Sequence, residues 1–203
     1  MRVVSIDIET TGLEPDTHSI IQVGACIVDL MSPFDRKACP QILINVWQED
    51  AVWSAWGVRM NHEIMTAMIN SRLGLNGSKM IPLNEVKLPA GEMLLAPDEV
   101  AGEFRYWLSS HDIPTNKGIT VTGKNFSAFD LQFLNRLPNW SNNVYTNYRA
   151  IDVGSHFWMP GDPKLPNLQE CVDRAGLKYV ISHTALDDAL VVGELTHMIM
   201  SKK

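Results

Sequence analysis

The sequence predicts an α/β protein, a mixed β-sheet of three antiparallel strands continued by parallel ones and flanked by helices. Three observations carry that expectation. The N-terminal quarter holds three apolar runs, rich in β-branched residues, joined by connections too short for a crossover helix. Beyond residue 97, helix-period and strand-like segments alternate. With 203 residues, 45% of them apolar, the chain suits one domain of ordinary size and is not a disordered sequence.

The elements follow in order. Val3 to Ile8 is a short β-branched run that reads as a buried strand. Thr11-Gly12-Leu13-Glu14-Pro15-Asp16 carries turn chemistry, and further strands follow at about 20–30 and 41–47. Residues 54–72 mix apolar and polar positions at helical spacing. The stretch 72–97 is expected to be an irregular insertion, because Gly, Ser and Pro interrupt any period there. Pro97-Asp98-Glu99 opens a helix to about Ser110, with Val100, Phe104, Trp107 and Leu108 on one side. A strand at 119–122, a helix at 127–137, a strand at 149–153 and helices at 167–175 and 184–200 complete the pattern. No repeat or linker divides residues 1–203, which read as a single domain.

Seventeen basic against 23 acidic side chains give a net charge of −6, which argues against a protein that grips nucleic acid by a broad basic face. Cys26, Cys39 and Cys171 lie far apart without a C-x-x-C pair, so neither a disulfide framework nor a cysteine zinc site is expected. No apolar stretch is long enough to span a bilayer, and Asp7 interrupts any signal-peptide core. The expected setting is a reducing, cytoplasmic one.

Four carboxylates sit where carboxylates are costly. Asp7 and Glu9 are two apart on a strand, so both leave the same face. Asp130 shares a helical stripe with Phe133, Leu134 and Leu137. Asp188 shares one with Ala185, Val192, Leu195 and Ile199. Each alone has a structural alternative as an N-cap or half of an ion pair. Four together, with no Lys or Arg beside them in sequence, point to an oxygen-ligand site for Mg²⁺ or Mn²⁺. Two such ions could serve phosphodiester cleavage. His183, five residues ahead of Asp188, is either a capping histidine or a proton acceptor beside the metals. Asp187 is the rival of Asp188, but helical geometry turns it about 100° away.

These residues, in this order, resemble the DEDDh 3′–5′ exonucleases, the family of oligoribonuclease, RNase T and the proofreading subunit of bacterial replicative polymerase. Asp7-Ile8-Glu9-Thr10-Thr11-Gly12-Leu13 is similar to the first motif of that family. Asn125-Phe126-Ser127-Ala128-Phe129-Asp130 is similar to the second, and His183-Thr184-Ala185-Leu186-Asp187-Asp188-Ala189 to the third, histidine-containing one. Tyr148 to Val153 resembles the strand before the third motif.

The resemblance implies an RNase H-like fold in which Asp7, Glu9, Asp130 and Asp188 hold two divalent ions, Asp7 bridging them. His183 would be the general base, and the products would be nucleoside 5′-monophosphates released from single-stranded DNA or RNA 3′ ends. Thr10, Thr11, Gly12 and Leu13 would contact the terminal nucleotide, with Leu13 wedged against a base. Asn125, Phe126 and Phe129 would line the same site, and Trp47, Trp53 and Trp56 are further stacking candidates whose alternative is burial in the core. Lys124 and Arg149 could touch phosphate, and His62 substrate. The stretch 72–97 has no clear counterpart in compact relatives. A homodimer or a polymerase partner is compatible with the resemblance, but no feature of the sequence marks a docking surface. The rival readings are an RNase H-like binding module that has lost catalysis and an RNase H-type endonuclease.

Overall fold

The computed structural model describes residues 1–73, 80–89 and 91–201. Strand β1 (Arg2–Thr10) lies near the middle of a six-stranded sheet. It pairs antiparallel with β2 (Ile20–Asp29), which pairs antiparallel with β3 (Gln41–Val46). Helix α1 (Ala55–Arg72) crosses from β3 to β4 (Glu92–Leu95), a strand parallel to β3 at the sheet edge. Helix α2 (Pro97–Ser110) leads to β5 (Val121–Gly123), parallel to β1 on its other side. Short helices α3 (Asp130–Leu134) and α4 (Trp140–Asn143) precede the edge strand β6 (Ile151–Asp152). Helices α5 (Val153–Phe157), α6 (Leu168–Arg174) and α7 (Ala185–Met200) finish the chain. The strand order is β4-β3-β2-β1-β5-β6, the mixed sheet expected from sequence.

Alternation along β1 sorts its side chains between two layers. Val4, Ile6 and Ile8 enter the main core with Val100, Phe104 and Leu108 of α2 and Trp140 of α4. Ser5, Asp7 and Glu9 leave by the other face, over which α7 packs. Three contacts seat α7 there. Ser5 Oγ donates to the Ala189 carbonyl (2.7 Å), the Ala185 amide donates to Gln22 Oε1 (3.3 Å), and Leu190 joins Val3, Cys26 and Val28 in a second apolar cluster.

Gly24, opposite Asp7 on the ladder, makes that seating close. A Cβ at Gly24 would lie 2.2–2.4 Å from the backbone of Ala185 and Leu186, so only glycine lets the start of α7 rest on the sheet.

The structure departs from the sequence reading in two places. Within 72–97 the described residues include a 3₁₀ turn (Leu83–Glu85) and β4, while 74–79 and 90 lie outside the described residues. Four residues after a positive-φ Gly91 are too few to show a period, yet the free edge of β3 gives them a partner. The helix expected at 127–137 is regular only over 130–134. Left-handed Asn125 (φ 65°) opens the segment with a turn, and the Ala128 and Phe129 amides both donate to its carbonyl (3.1 and 3.0 Å). Among the described residues, no helix is long and apolar enough to cross a membrane.

Candidate active site

Asp7 and Glu9 project from the central strand beneath the first turn of α7, where Asp188 points back at them. One carboxylate oxygen from each of the three lies within 4.8 Å of the others. Asp130, buried at the start of α3, faces Asp7 from the β5 side and adds to the negative field on it. Asp187, one residue before Asp188, is exposed and accepts hydrogen bonds from Ser182 Oγ (3.1 Å) and Thr184 Oγ1 (3.0 Å). The helical offset thus separates the two neighbours as expected.

Burial dominates the electrostatics. It raises the Asp7 carboxyl well above the usual carboxylate range, and Asp130, Asp188 and Glu9 push it further. Glu9 is pushed up to about 8 by burial and then by Asp188, with the Asn61 amide acting against them. Asp130 rises to about 7 through burial, opposed by the backbone amides of Asp130 and Ile8 and by Lys124. Asp188 also rises to about 7, by burial and the neighbouring Asp187. Among the described residues, no ion pair neutralises any of the four.

Asp188 Oδ1 is buried without a hydrogen-bond partner. An unpartnered buried oxygen on a carboxylate that converges with two others suits a hard divalent cation, so the residues present fit Mg²⁺ or Mn²⁺. Without a cation this arrangement is repulsive.

The turn after β1 forms the wall beside the acids. Thr10 and Thr11 are buried and their hydroxyls are engaged within the turn: Thr10 Oγ1 donates to the Gly12 carbonyl (2.7 Å), and the Ser19 amide donates to Thr11 Oγ1 (2.9 Å). The His18 ring packs over Gly12, where a Cβ would stand 2.3 Å from it and displace the ring. Leu13 is 52% exposed, as a side chain that meets a ligand must be.

The start of α1 docks on this turn. Ser54 caps the helix by accepting from the Gly57 amide (2.9 Å), its own amide donates to the Thr11 carbonyl (2.9 Å), and Gly57 leaves no room for a Cβ against that carbonyl. Asn61 interrupts helical geometry (φ −115°, ψ 18°) and donates Nδ2 to the Thr10 carbonyl (2.8 Å). Gly24, Gln22 and Asn61 therefore build the site although no local pattern marks them. Their roles rest on contacts between distant segments.

The other expected residues divide. Asn125 is exposed, and its amide donates to Asp152 Oδ2 (2.6 Å), which fixes the loop leading to Asp130. Asp152 also caps α5, accepting from the Ser155 amide at Oδ1 (2.8 Å). Phe126 is only 2% exposed and belongs to the main core, so it offers no ring face to a base. Phe129 is half-buried, 5.0 Å from Phe133 between ring centroids.

Trp47 has one face covered by the Arg72 guanidinium (4.4 Å), and Trp53 packs with Ile21, Ile64, Met68 and Leu94. Trp56, 43% exposed at the start of α1, is the tryptophan of the three open to a base. Arg149 lies over the Tyr148 ring (4.9 Å) ahead of β6, and His62 is exposed.

His183 is exposed on the loop between α6 and α7, in left-handed backbone (φ 54°), and is not one of the ligand cluster. Such a conformation is uncommon outside glycine, although histidine is among the residues enriched in it.

A mixed six-stranded α/β sheet, with three carboxylates converging between its central strand and a covering helix, is a fold shared with solved exonuclease structures. Exonuclease I from Methylocaldum szegediense matches all of this chain with a TM-score of 0.62 at 12% identity. E. coli Exonuclease I, solved in complex with a dA16 oligonucleotide, matches all of it with 0.60 at 13% identity. The chain spans 41% of the length of either. S. pombe Pop2p, in its Mg²⁺- and Mn²⁺-bound form, matches 98% of this chain and 83% of its own with a TM-score of 0.56 at 15% identity. No protein-family model and no curated protein sequence matches the chain.

Proposed function

We propose that the protein is a metal-dependent 3′–5′ exonuclease that hydrolyses the terminal phosphodiester bonds of single-stranded DNA or RNA. The observation that carries this reading is the convergence of Asp7, Glu9 and Asp188, with no cationic side chain among the described residues paired to them and one buried oxygen left bare. The reading is supported by a fold shared with Exonuclease I, solved with a dA16 oligonucleotide, and with Pop2p, solved with Mg²⁺ and Mn²⁺. Residues 1–203 are read as one exonuclease domain.

In this proposal Asp7, Glu9, Asp130 and Asp188 would hold two divalent ions. When bound, the ions supply positive charge for the scissile phosphate and for the oxygens that attack and leave it. Leu13 and Trp56 grip the terminal base from the two sides of the turn after β1. The attacking water gives its proton to a ring nitrogen of His183 as the new P–O bond forms. The bond to the 3′ oxygen of the penultimate nucleotide breaks, freeing a nucleoside 5′-monophosphate. His183 reaches the site by a swing of the loop before α7, with its own left-handed backbone as the pivot.

Linear and circular single strands of the same sequence test the polarity claim. The linear strand is expected to be consumed from its 3′ end while the circle survives. Cutting of the circle would favour the endonuclease reading.

A further inference from the structure

We propose that Cys26 and Cys39 form a redox-sensitive dithiol beneath α7, in which Cys39 reacts with a peroxide and Cys26 resolves it to an intramolecular disulfide. The two lie on one hairpin. Cys26 ends the regular β2–β3 ladder opposite Gln41, and Cys39 lies in the turn two residues before Gln41. Both side chains pack in the small cluster of Val3, Val28 and Leu190, against the underside of α7. Cys26 is fully buried, its thiol donating to the Ala189 carbonyl (3.6 Å). Cys39 is half-buried in a turn outside the ladder, which leaves it open to a small oxidant.

The chemistry around the pair is asymmetric in the sense that a peroxide reaction needs. Cys39 Sγ donates to the Arg36 carbonyl (3.7 Å); the neighbouring Cys26 thiol lowers Cys39 from its usual range and is itself raised, while burial and Asp35 act against the lowering at Cys39 and the Arg36 guanidinium adds to it. A thiol held low beside a cation and within reach of solvent is the reactive kind. Cys171 supplies the contrast within the molecule: it is fully buried and its thiol is pushed up to about 11 by burial.

The Cys39 thiolate attacks one oxygen of hydrogen peroxide and the O–O bond breaks, giving a sulfenic acid and hydroxide. The Cys26 sulfur then attacks the sulfenic sulfur. The S–S bond forms, and the hydroxyl leaves as water with the Cys26 proton. That proton is the one shared with the Ala189 carbonyl, next to Asp188, so oxidation removes one of the contacts that seat α7.

The test exposes the full chain to hydrogen peroxide, alkylates the remaining thiols and maps peptides without reduction. The expected result is a Cys26–Cys39 cross-link with a loss of two hydrogens, reversed by dithiothreitol. Cys39 should lose alkylation about tenfold or more faster than Cys171. In Cys26→Ser, dimedone should trap a sulfenic acid at Cys39. Should that variant not fold, Cys39→Ser serves instead, and its Cys26 should resist peroxide. Oxidation of Cys171 as fast as Cys39, or Cys39 passing to sulfinic acid in the unmodified sequence without a link, would overturn the proposal.

Discussion

Asp188 and His183 lie five residues apart, yet one is buried at a helix start pinned to the sheet and the other stands exposed in a loop with left-handed backbone. The contrast follows from what each group must do. Like charges held together repel at all times, so the carboxylates need a frame that over-determines them. Gly24, Ser5, Gln22 and Asn61 provide it through contacts of backbone closeness and hydrogen bonding. In the proposed mechanism the proton acceptor is needed only when substrate and water are present, so a residue on an exposed loop suffices. Stability is therefore stored against the acids, and adaptability is left to the loop.

Substitutions sharpen this contrast, beginning with the acids. Asp188→Asn is expected to abolish nucleotide release while raising the melting temperature of metal-free protein, because a buried repulsive charge is lost. Release at the unsubstituted rate would remove Asp188 from the site. Gly24→Ala should also abolish release, but with a loss of about 1–3 kcal/mol in denaturant unfolding as the new methyl group displaces α7. An unchanged unfolding midpoint would mean that α7 is not seated as described. His183→Ala should lower kcat by about 10²–10⁴-fold with melting temperature and metal affinity unmoved, the pattern of a general base on an exposed loop. A fall in metal affinity instead would place His183 in the metal site.

The smallest effect is on stability against pH. Each raised carboxyl keeps a proton in the fold that the unfolded chain, with ordinary carboxyls near 4, has already released. Between about pH 4 and 8 the folded state therefore binds more protons, and stability of the metal-free protein falls as pH rises through that window. Melting scans in EDTA should show this decline, and added Mg²⁺ or Mn²⁺ should reverse it at the alkaline end. A melting temperature that climbs from pH 5 to 8 in EDTA would contradict it.

How far the site could be read from sequence follows the same division. Asp7 and Glu9 were legible because a strand period of two puts them on one face, and Asp188 because it interrupts an apolar helical stripe. Asp130 follows the same stripe logic in being buried although its helix is one turn long, since the buried positions 133 and 134 still follow it. Phe126 misled: an aromatic beside a site motif reads as a stacking group, whereas its ring fills the core under β5. Gly24, Gln22 and Asn61 have no such signature. A glycine in a strand does not say which helix will approach it, and a polar residue does not say which carbonyl it will meet across 50 residues of chain. The edge strand β4 was missed for a related reason, because its partner β3 lies beyond the whole of α1.

The most direct test is a time course on 5′-labelled single-stranded DNA and RNA of matched sequence, run with Mg²⁺ or Mn²⁺ and again in excess EDTA. The predicted result is a ladder of labelled products shortening one nucleotide at a time from the 3′ end, present with the metal and absent in EDTA. Undiminished shortening in EDTA, or an intact strand in both metals, would contradict the assignment of Asp7, Glu9, Asp130 and Asp188 to a metal-dependent exonuclease centre.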